Sequence, residues 1–193
     1  ARVAQVHVRE HLERRLRSDD TLRVKLGVDP SRPDLHIGHY VAFRKLRQFQ
    51  ALGHTVVVII GDWTAQIGDP SGRSTQRTML TAEQVSENAR TYLDQLFKVI
   101  DTEHAEIRPQ SEWFGGFDLA DVLRLTARYS VAQMLQREDF QQRFAGGASI
   151  GIVELLYPLL QAYDSVAVQA DVEIGGTDQT FNLLVGRDIL REY

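Results

Sequence analysis

Cysteine is absent from the 193 residues, which excludes disulfide frameworks, thiolate metal sites and a cysteine nucleophile, and leaves the redox compartment unreadable. Long apolar runs are absent too. The longest stretch of strong hydrophobes is Val56 to Ile60, about a quarter of the ~20 residues that a membrane span requires. The first residues carry Arg2, His7, Arg9 and Glu10 and lack the apolar stretch and small-residue cleavage site of a secretory signal. The expectation is a cytoplasmic protein that does not enter a membrane. Lysine is scarce: of 22 basic residues, 19 are arginine, and Lys25, Lys45 and Lys98 complete the set. What remains suits one globular domain, with 43% apolar and 25% charged residues and a formal charge of −4. With that sign, any basic footprint for nucleic acid has to be local.

Hydrophobic spacing gives an element order. Residues 3–17 read as a short amphipathic helix whose basic side (Arg9, Arg14, Arg15, Arg17) is best taken as a solvated face. Leu22 to Val28 alternates as a strand, and Pro30 and Pro33 then forbid continuation. Helical spacing runs from about Ile37 to Leu52 and stops at Gly53, a C-terminal cap. Val56 to Ile60 is apolar on both faces, as in a central parallel strand covered on each side. Thr81 with Gln84 forms a capping box for a helix to about Ile100. A weak strand over Ala105 to Arg108 follows, then helical spacing over Leu119 to Phe144 with a break near Ser130. A buried helix over Ile152 to Ser165 comes next, then a strand over Val168 to Ile174, and a last helix capped by Thr177 reaching Arg191. Strands alternating with long helices imply an α/β fold with a parallel sheet. In such sheets ligands bind beyond the carboxyl ends of the strands.

Four segments fall at those positions. His36 and His39 flank Ile37-Gly38 at the start of a helix; they share a face of its first turn, and Gly38 removes a side chain that would block the backbone. Such a pair fits a surface or metal role, and at a strand–turn–helix junction it fits phosphate equally. The loop 61–77 combines Gly68, Asp69 and Gly72 with Arg73 and Arg77, an ordinary surface loop or, at its length, a functional one. Tyr157, Gln161 and Asp164 stand at i, i+4 and i+7 on an otherwise apolar helix, so a polar stripe there needs internal partners or a small polar ligand. Gly175-Gly176-Thr177-Asp178-Gln179 suits a ribose on the carboxylate, or simply a helix cap.

Taken in order, Lys25-Leu26-Gly27-Val28-Asp29-Pro30 with His36-Ile37-Gly38-His39, then Gly68-Asp69-Pro70-Ser71-Gly72, Tyr157 to Asp164 and Gly175 to Gln179, the chain resembles the bacterial tyrosyl-tRNA synthetases from about Leu22 onward. These are class I enzymes. The resemblance implies a Rossmann-like (HUP-type) parallel sheet flanked by helices, in one catalytic domain with helical connective and dimerisation segments at about 117–150. It implies activation of tyrosine by ATP to tyrosyl-adenylate and transfer to tRNA(Tyr), with Mg²⁺ accompanying the ATP and no dedicated metal site. His36, His39 and Ser31 would hold ATP phosphates and ribose, while Gly27, Asp29, Gly38, Gly176 and Asp178 would line the adenosine side. Asp69, Tyr157 and Gln161 would surround the tyrosine ammonium, Gln179 would lie near the carboxylate, and Asp164 would accept the phenol hydrogen bond. Arg73 and Arg77 would stabilise departing pyrophosphate.

Three positions depart from the pattern. Lys25 stands where some relatives carry a tyrosine, Val153 stands where a histidine is common, and no lysine follows Lys98, so the lysine-rich KMSKS-like loop is missing. The expectation is therefore an N-terminal catalytic fragment. A tryptophanyl-tRNA synthetase and a non-catalytic tyrosine- or nucleotide-binding module are the alternatives. A homodimer is expected, with Val131, Met134, Leu135, Phe140 and Phe144 compatible with its surface or with core packing.

Overall fold

A computed structural model describes residues 3–71 and 79–193. Four parallel strands lie in the order β3-β2-β1-β4: β1 Arg23–Val28, β2 Thr55–Ile60, β3 Ala105–Pro109 and β4 Val172–Glu173. The chain steps outward from β1 to β3 and then returns to the opposite side of β1 for β4. The direction of winding thus reverses beside β1, which opens a crevice at the strands' carboxyl ends.

The β2 run is buried on both faces. Val56, Val58 and Ile60 join a core with Leu22, Val24, Leu26 and Val28 of the β1 region and with Phe43, Leu46, Tyr92 and Leu96, which come from α2 (Ile37–Ala51) and α4 (Ala82–Leu96). Val57 and Ile59 point the other way, against Val168, Ala170 and Trp113. On β1 the alternation breaks this symmetry. Its second face carries Lys25 and Gly27 instead of hydrophobes; Lys25 is fully buried and Gly27 opens on the crevice.

Helix boundaries follow local chemistry. The α2 end is closed by Gly53 at φ 83°, with the Gly53 and His54 N–H groups bonded to the Gln50 and Phe49 carbonyls. Thr81 and Gln84 make the reciprocal box at the start of α4, although this helix ends at Leu96, short of Ile100. The first helix, α1 (Arg9–Leu16), is also shorter than its pattern. Its Arg15 pairs with Asp20 at 3.0 Å and Asp171 at 3.1 Å, and Arg9 with Glu13 at 3.5 Å, so much of the basic side is spent on ion pairs.

Three expectations need correcting. The strand expected over Val168 to Ile174 is two residues long, because α9 (Ile152–Ala167) continues to Ala167 and Gln169 at φ 51° turns the chain before pairing begins. Thr177 caps nothing: Thr177–Gln179 is a 3₁₀ turn, and α10 (Thr180–Glu192) starts after it. The helical stretch from Leu119 splits into α6 (Leu119–Thr126), α7 (Val131–Met134) and α8 (Glu138–Ala145), following the short α3 (Thr64–Ile67) and α5 (Ser111–Phe114). The break near Ser130 falls as the spacing suggested, with Ser130 capping α7, and Arg137 makes a second break.

Among the expected surface residues, Met134 and Phe140 are core, Leu135 is half-buried, and Val131 and Phe144 are exposed. No helix among the described residues is long and apolar enough to cross a membrane.

Candidate active-site cleft

The crevice is a cleft of about 570 Å³. From β1 and the turn after it come Gly27, Asp29 and Ser31, and from the start of α2 come His36, Gly38 and His39. Asp69 reaches it from beyond α3, and Tyr157, Gln161 and Asp164 from α9. Gly176, Asp178 and Gln179 close it after β4. Arg73 and Arg77 lie outside the described residues. Gly27 is the exposed position of a buried strand, and a Cβ built there would meet nothing within 4 Å, so this backbone stands open to whatever fills the cleft.

The floor is built on Asp164, 2% exposed. Gln110 Oε1 accepts the N–H groups of Trp63 (3.3 Å) and Thr64 (3.0 Å), which forces its amide nitrogen toward Asp164 at 3.0 and 2.9 Å from the two oxygens. Trp113 Nε1 donates at 3.2 Å. Burial, only partly opposed by the Lys25 ammonium, pushes the Asp164 carboxyl up to about 7. A buried carboxylate fixed by donors on one side and lining a cavity on the other is an acceptor for a ligand's hydroxyl.

Above it, the Tyr157 hydroxyl donates to Asp29 Oδ2 at 2.6 Å, and Thr64 Oγ1 sits 2.7 Å from Asp29 Oδ1. Burial, together with the Asp29 and Asp69 charges, holds the Tyr157 phenol well above its ordinary value, so it stays protonated and keeps a lone pair for another donor. Gly61 is required here, since a Cβ would collide with both Asp29 and Thr64. Gln161 donates to Glu173 at 3.3 Å and accepts from Asn182 at 3.0 Å. Asp69 accepts from the Ser71 N–H (2.8 Å) and from Gln179 Nε2 (2.7 Å). The polar stripe of α9 is thus satisfied by side chains from other elements while still lining the cavity.

At the far end, His36 Nδ1 accepts from the Gly38 N–H at 3.1 Å and His39 Nδ1 accepts from the His36 N–H at 3.2 Å, so the two imidazoles cap α2 reciprocally. Both Nδ1 atoms being acceptors, each neutral ring carries its proton on Nε2. The rings lie 4.0 Å apart, and burial, then the neighbouring His36, lowers the His39 value. The result is a pair of Nε2–H donors at a helix N-terminus, where an anion is favoured.

Sequence reading missed the supports. Lys25, 0% exposed, donates to the Gln161 carbonyl (2.9 Å), Ser165 Oγ (3.0 Å) and Glu173 Oε1 (3.0 Å). Gln110, Thr64, Asn182 and Arg137 are equally buried or nearly so. Their only sequence signal is a polar residue in an apolar context, as with Lys25 in β1. Among the described residues one group has metal-ligand spacing, Asp101 with Glu103 and His104, and none of the three lines the cleft.

Comparison with known proteins agrees with this architecture. The chain spans about half the length of the curated relatives it matches. It is 62% identical over 187 residues to the tyrosine–tRNA ligase of Dehalococcoides mccartyi (strain CBDB1), covering 97% of this chain and 47% of that protein. It is 61% identical over 184 residues to the Thermotoga maritima tyrosine–tRNA ligase, covering 95% and 46%. A C-terminally truncated Aspergillus nidulans mitochondrial tyrosyl-tRNA synthetase superposes with a TM-score of 0.80 at 25% identity, over 94% of this chain and 56% of that one. The family model described as tRNA synthetases class I (W and Y) matches residues 17–193, and with the reversed parallel sheet and its cleft in place, the chain belongs to that family.

Proposed function

We propose that this chain is the amino-acid-activating part of a tyrosine–tRNA ligase. The tyrosine carboxylate oxygen attacks the α-phosphorus of ATP and the bond to the β-phosphate oxygen breaks, giving tyrosyl-adenylate and pyrophosphate. A ribose hydroxyl at the 3′ end of tRNA(Tyr) then attacks the tyrosyl carbonyl, forming the ester as AMP leaves. Such a transfer depends on positioning and charge stabilisation rather than on a protein nucleophile. The observation that carries the reading is Asp164, an acceptor buried at the floor of the cleft and held by Gln110 and Trp113, which fits a phenol hydroxyl and leaves an unpaired buried acceptor against an analogue without one. Sites of that design reject the deoxy analogue by about 10⁴ to 10⁵, a figure established on this enzyme family.

In this reading Asp69, Tyr157 and Gln161 take the ammonium and Gln179 the carboxylate. The Nε2–H groups of His36 and His39 take ATP phosphate oxygens with Ser31 beside them. Gly27, Asp29, Gly38, Gly176 and Asp178 line the adenosine side, and Arg73 and Arg77 meet the departing pyrophosphate. Mg²⁺ would arrive on the ATP phosphates, since the metal-spaced group Asp101, Glu103 and His104 is outside the cleft. The protein would work in the cytoplasm as a homodimer through the 117–150 helices, whose Leu119, Leu123, Val131 and Phe144 are exposed. A monomeric mass by light scattering at micromolar concentration would remove the dimer. The test of the function is tyrosine-dependent ATP–pyrophosphate exchange by the intact protein, lost in Asp164→Ala and in His39→Ala. Exchange with tryptophan and not tyrosine would overturn it.

A further inference from the structure

We propose that Arg137 is a positioning residue for the amino-acid ammonium pocket, an inference that rests on the reading of the cleft as a tyrosine site. Arg137 stands at the break between α7 and α8, where the sequence Gln-Arg-Glu-Asp looks like a solvated charge run, yet the residue is only 5% exposed. Its guanidinium reaches across to two other parts of the chain and also holds the neighbouring Asp139. Nη2 lies 2.5 Å from Ser71 Oγ and 3.4 Å from Asp69 Oδ1, Nη1 donates to Asn182 Oδ1 at 3.2 Å, and Nε pairs with Asp139 at 2.8 Å. The Phe140 ring supports its face at 5.0 Å.

Arg137 also reaches the other proposed ammonium and carboxylate ligands through its partners. Asn182 uses its amide nitrogen on Gln161 and Gln179 at 3.0 Å each, and its oxygen is turned toward Arg137. With the Asn182 oxygen committed to the guanidinium, the amide cannot flip, so Gln161 and Gln179 present fixed faces. Asp69 is held from both sides, by Arg137 and Ser71 on one oxygen and by Gln179 on the other. Five donors in a rigid fork suit this task, and lysine cannot copy it. A guanidinium this close to an ammonium site is repulsive to the ligand by itself. Its contribution therefore comes through the acceptors that it orients.

The experiment is calorimetric binding of two ligands to the intact protein: tyrosine, and 4-ethylphenol, which keeps the phenol and lacks both the ammonium and the carboxylate. In Arg137→Gln and Arg137→Lys, tyrosine binding is expected to weaken about tenfold or more, the loss of an oriented charge-assisted hydrogen bond, while binding of 4-ethylphenol changes less than about twofold. In an Asp69→Asn background the Arg137→Gln effect is expected to shrink, because the two residues act on one contact. Equal losses for both ligands would make Arg137 a merely structural residue and overturn the proposal, as would no loss. Should the Arg137 variants fail to fold, Asn182→Ala leaves no carboxylate without its cation and is expected to give the same selective loss, and an unselective loss there overturns the proposal. Failure of the wild-type protein to bind tyrosine would instead sink the reading of the site.

Discussion

Asp164→Asn should trade binding for stability, and the pH dependence of the trade can be worked out. In the folded protein the Asp164 carboxyl keeps its proton up to about pH 7, against an ordinary value of 3.8. Between those limits the folded state binds the extra proton, so stability falls as pH rises through the window, and above pH 7 the whole cost of a buried carboxylate is present. From pH 5 to pH 8, two of the intervening pH units lie below the midpoint, and at about 1.4 kcal/mol for each the wild type loses about 3 kcal/mol through this one group. The asparagine variant has no such group. Its own cost, an amide facing the fixed Gln110 nitrogen, is the same at every pH, so it cancels when the stability difference at pH 5 is subtracted from that at pH 8. Urea unfolding of both proteins without tyrosine should show the variant gaining about 3 kcal/mol relative to wild type over that range, with tyrosine binding lost throughout. A difference that stays flat within about 0.5 kcal/mol, the size of an ordinary surface effect, would mean that Asp164 titrates like an exposed carboxylate and that the floor is wet.

Gly27→Ala should leave the melting temperature nearly unchanged, because the added carbon meets nothing, while weakening ATP at least about tenfold by filling the open face of β1. An unaffected ATP affinity by calorimetry would remove Gly27 from the nucleotide side. Glu154→Gln breaks the buried bidentate pair with Arg143, 2.7 and 3.0 Å with both side chains under 5% exposed. It should cost about 3–5 kcal/mol in urea unfolding by stranding the guanidinium. A loss below about 1 kcal/mol would show that solvent reaches the pair. His39 should titrate below 6.5 by NMR, its burial and the adjacent His36 both opposing the charge. The unfolded chain then takes up the proton first as pH falls, so this group lowers stability on acidification, and a His39 midpoint above 6.5 would contradict the neutral-donor picture.

How much was legible in the sequence follows from the range of each interaction. The β2 run and the α2 stop at Gly53 are written locally, in burial on both faces and in one residue at positive φ, and both stand as read. The Tyr157, Gln161 and Asp164 stripe was visible because helical spacing makes a polar line on an apolar helix conspicuous. Thr177 was misread because a hydroxyl after a glycine turn looks like a cap whether or not the next residues go straight into an α-helix. Short β4 was misread because Val168, Ala170, Val172 and Ile174 carry the alternation of a strand, while Val168 closes α9 and pairing starts only at Val172. The supports were out of reach for a different reason. Gln110 is 54 residues from Asp164, and Arg137 is 68 from Asp69, and nothing in the intervening chain fixes those distances.

Those long separations also explain why the pocket depends on the whole fold. Tyr157 to Asp29 joins α9 to the turn after β1, Gln110 to Asp164 joins the end of β3 to α9, Asn182 to Gln161 joins α10 to α9, and Gln179 to Asp69 joins the turn after β4 to the loop beyond α3. Each bond satisfies a polar group that burial would otherwise penalise, and each also aims that group into the cleft. The acceptors for a ligand are therefore in place before it arrives, at the expense of a neutral-pH carboxylate in the floor and a buried ammonium beneath it. The Lys25 ammonium makes no contact with a ligand in this reading. It faces Glu173, Ser165 and the Gln161 carbonyl, and so balances part of the negative charge around Asp164 from below while leaving the upper side of the carboxylate to a hydroxyl.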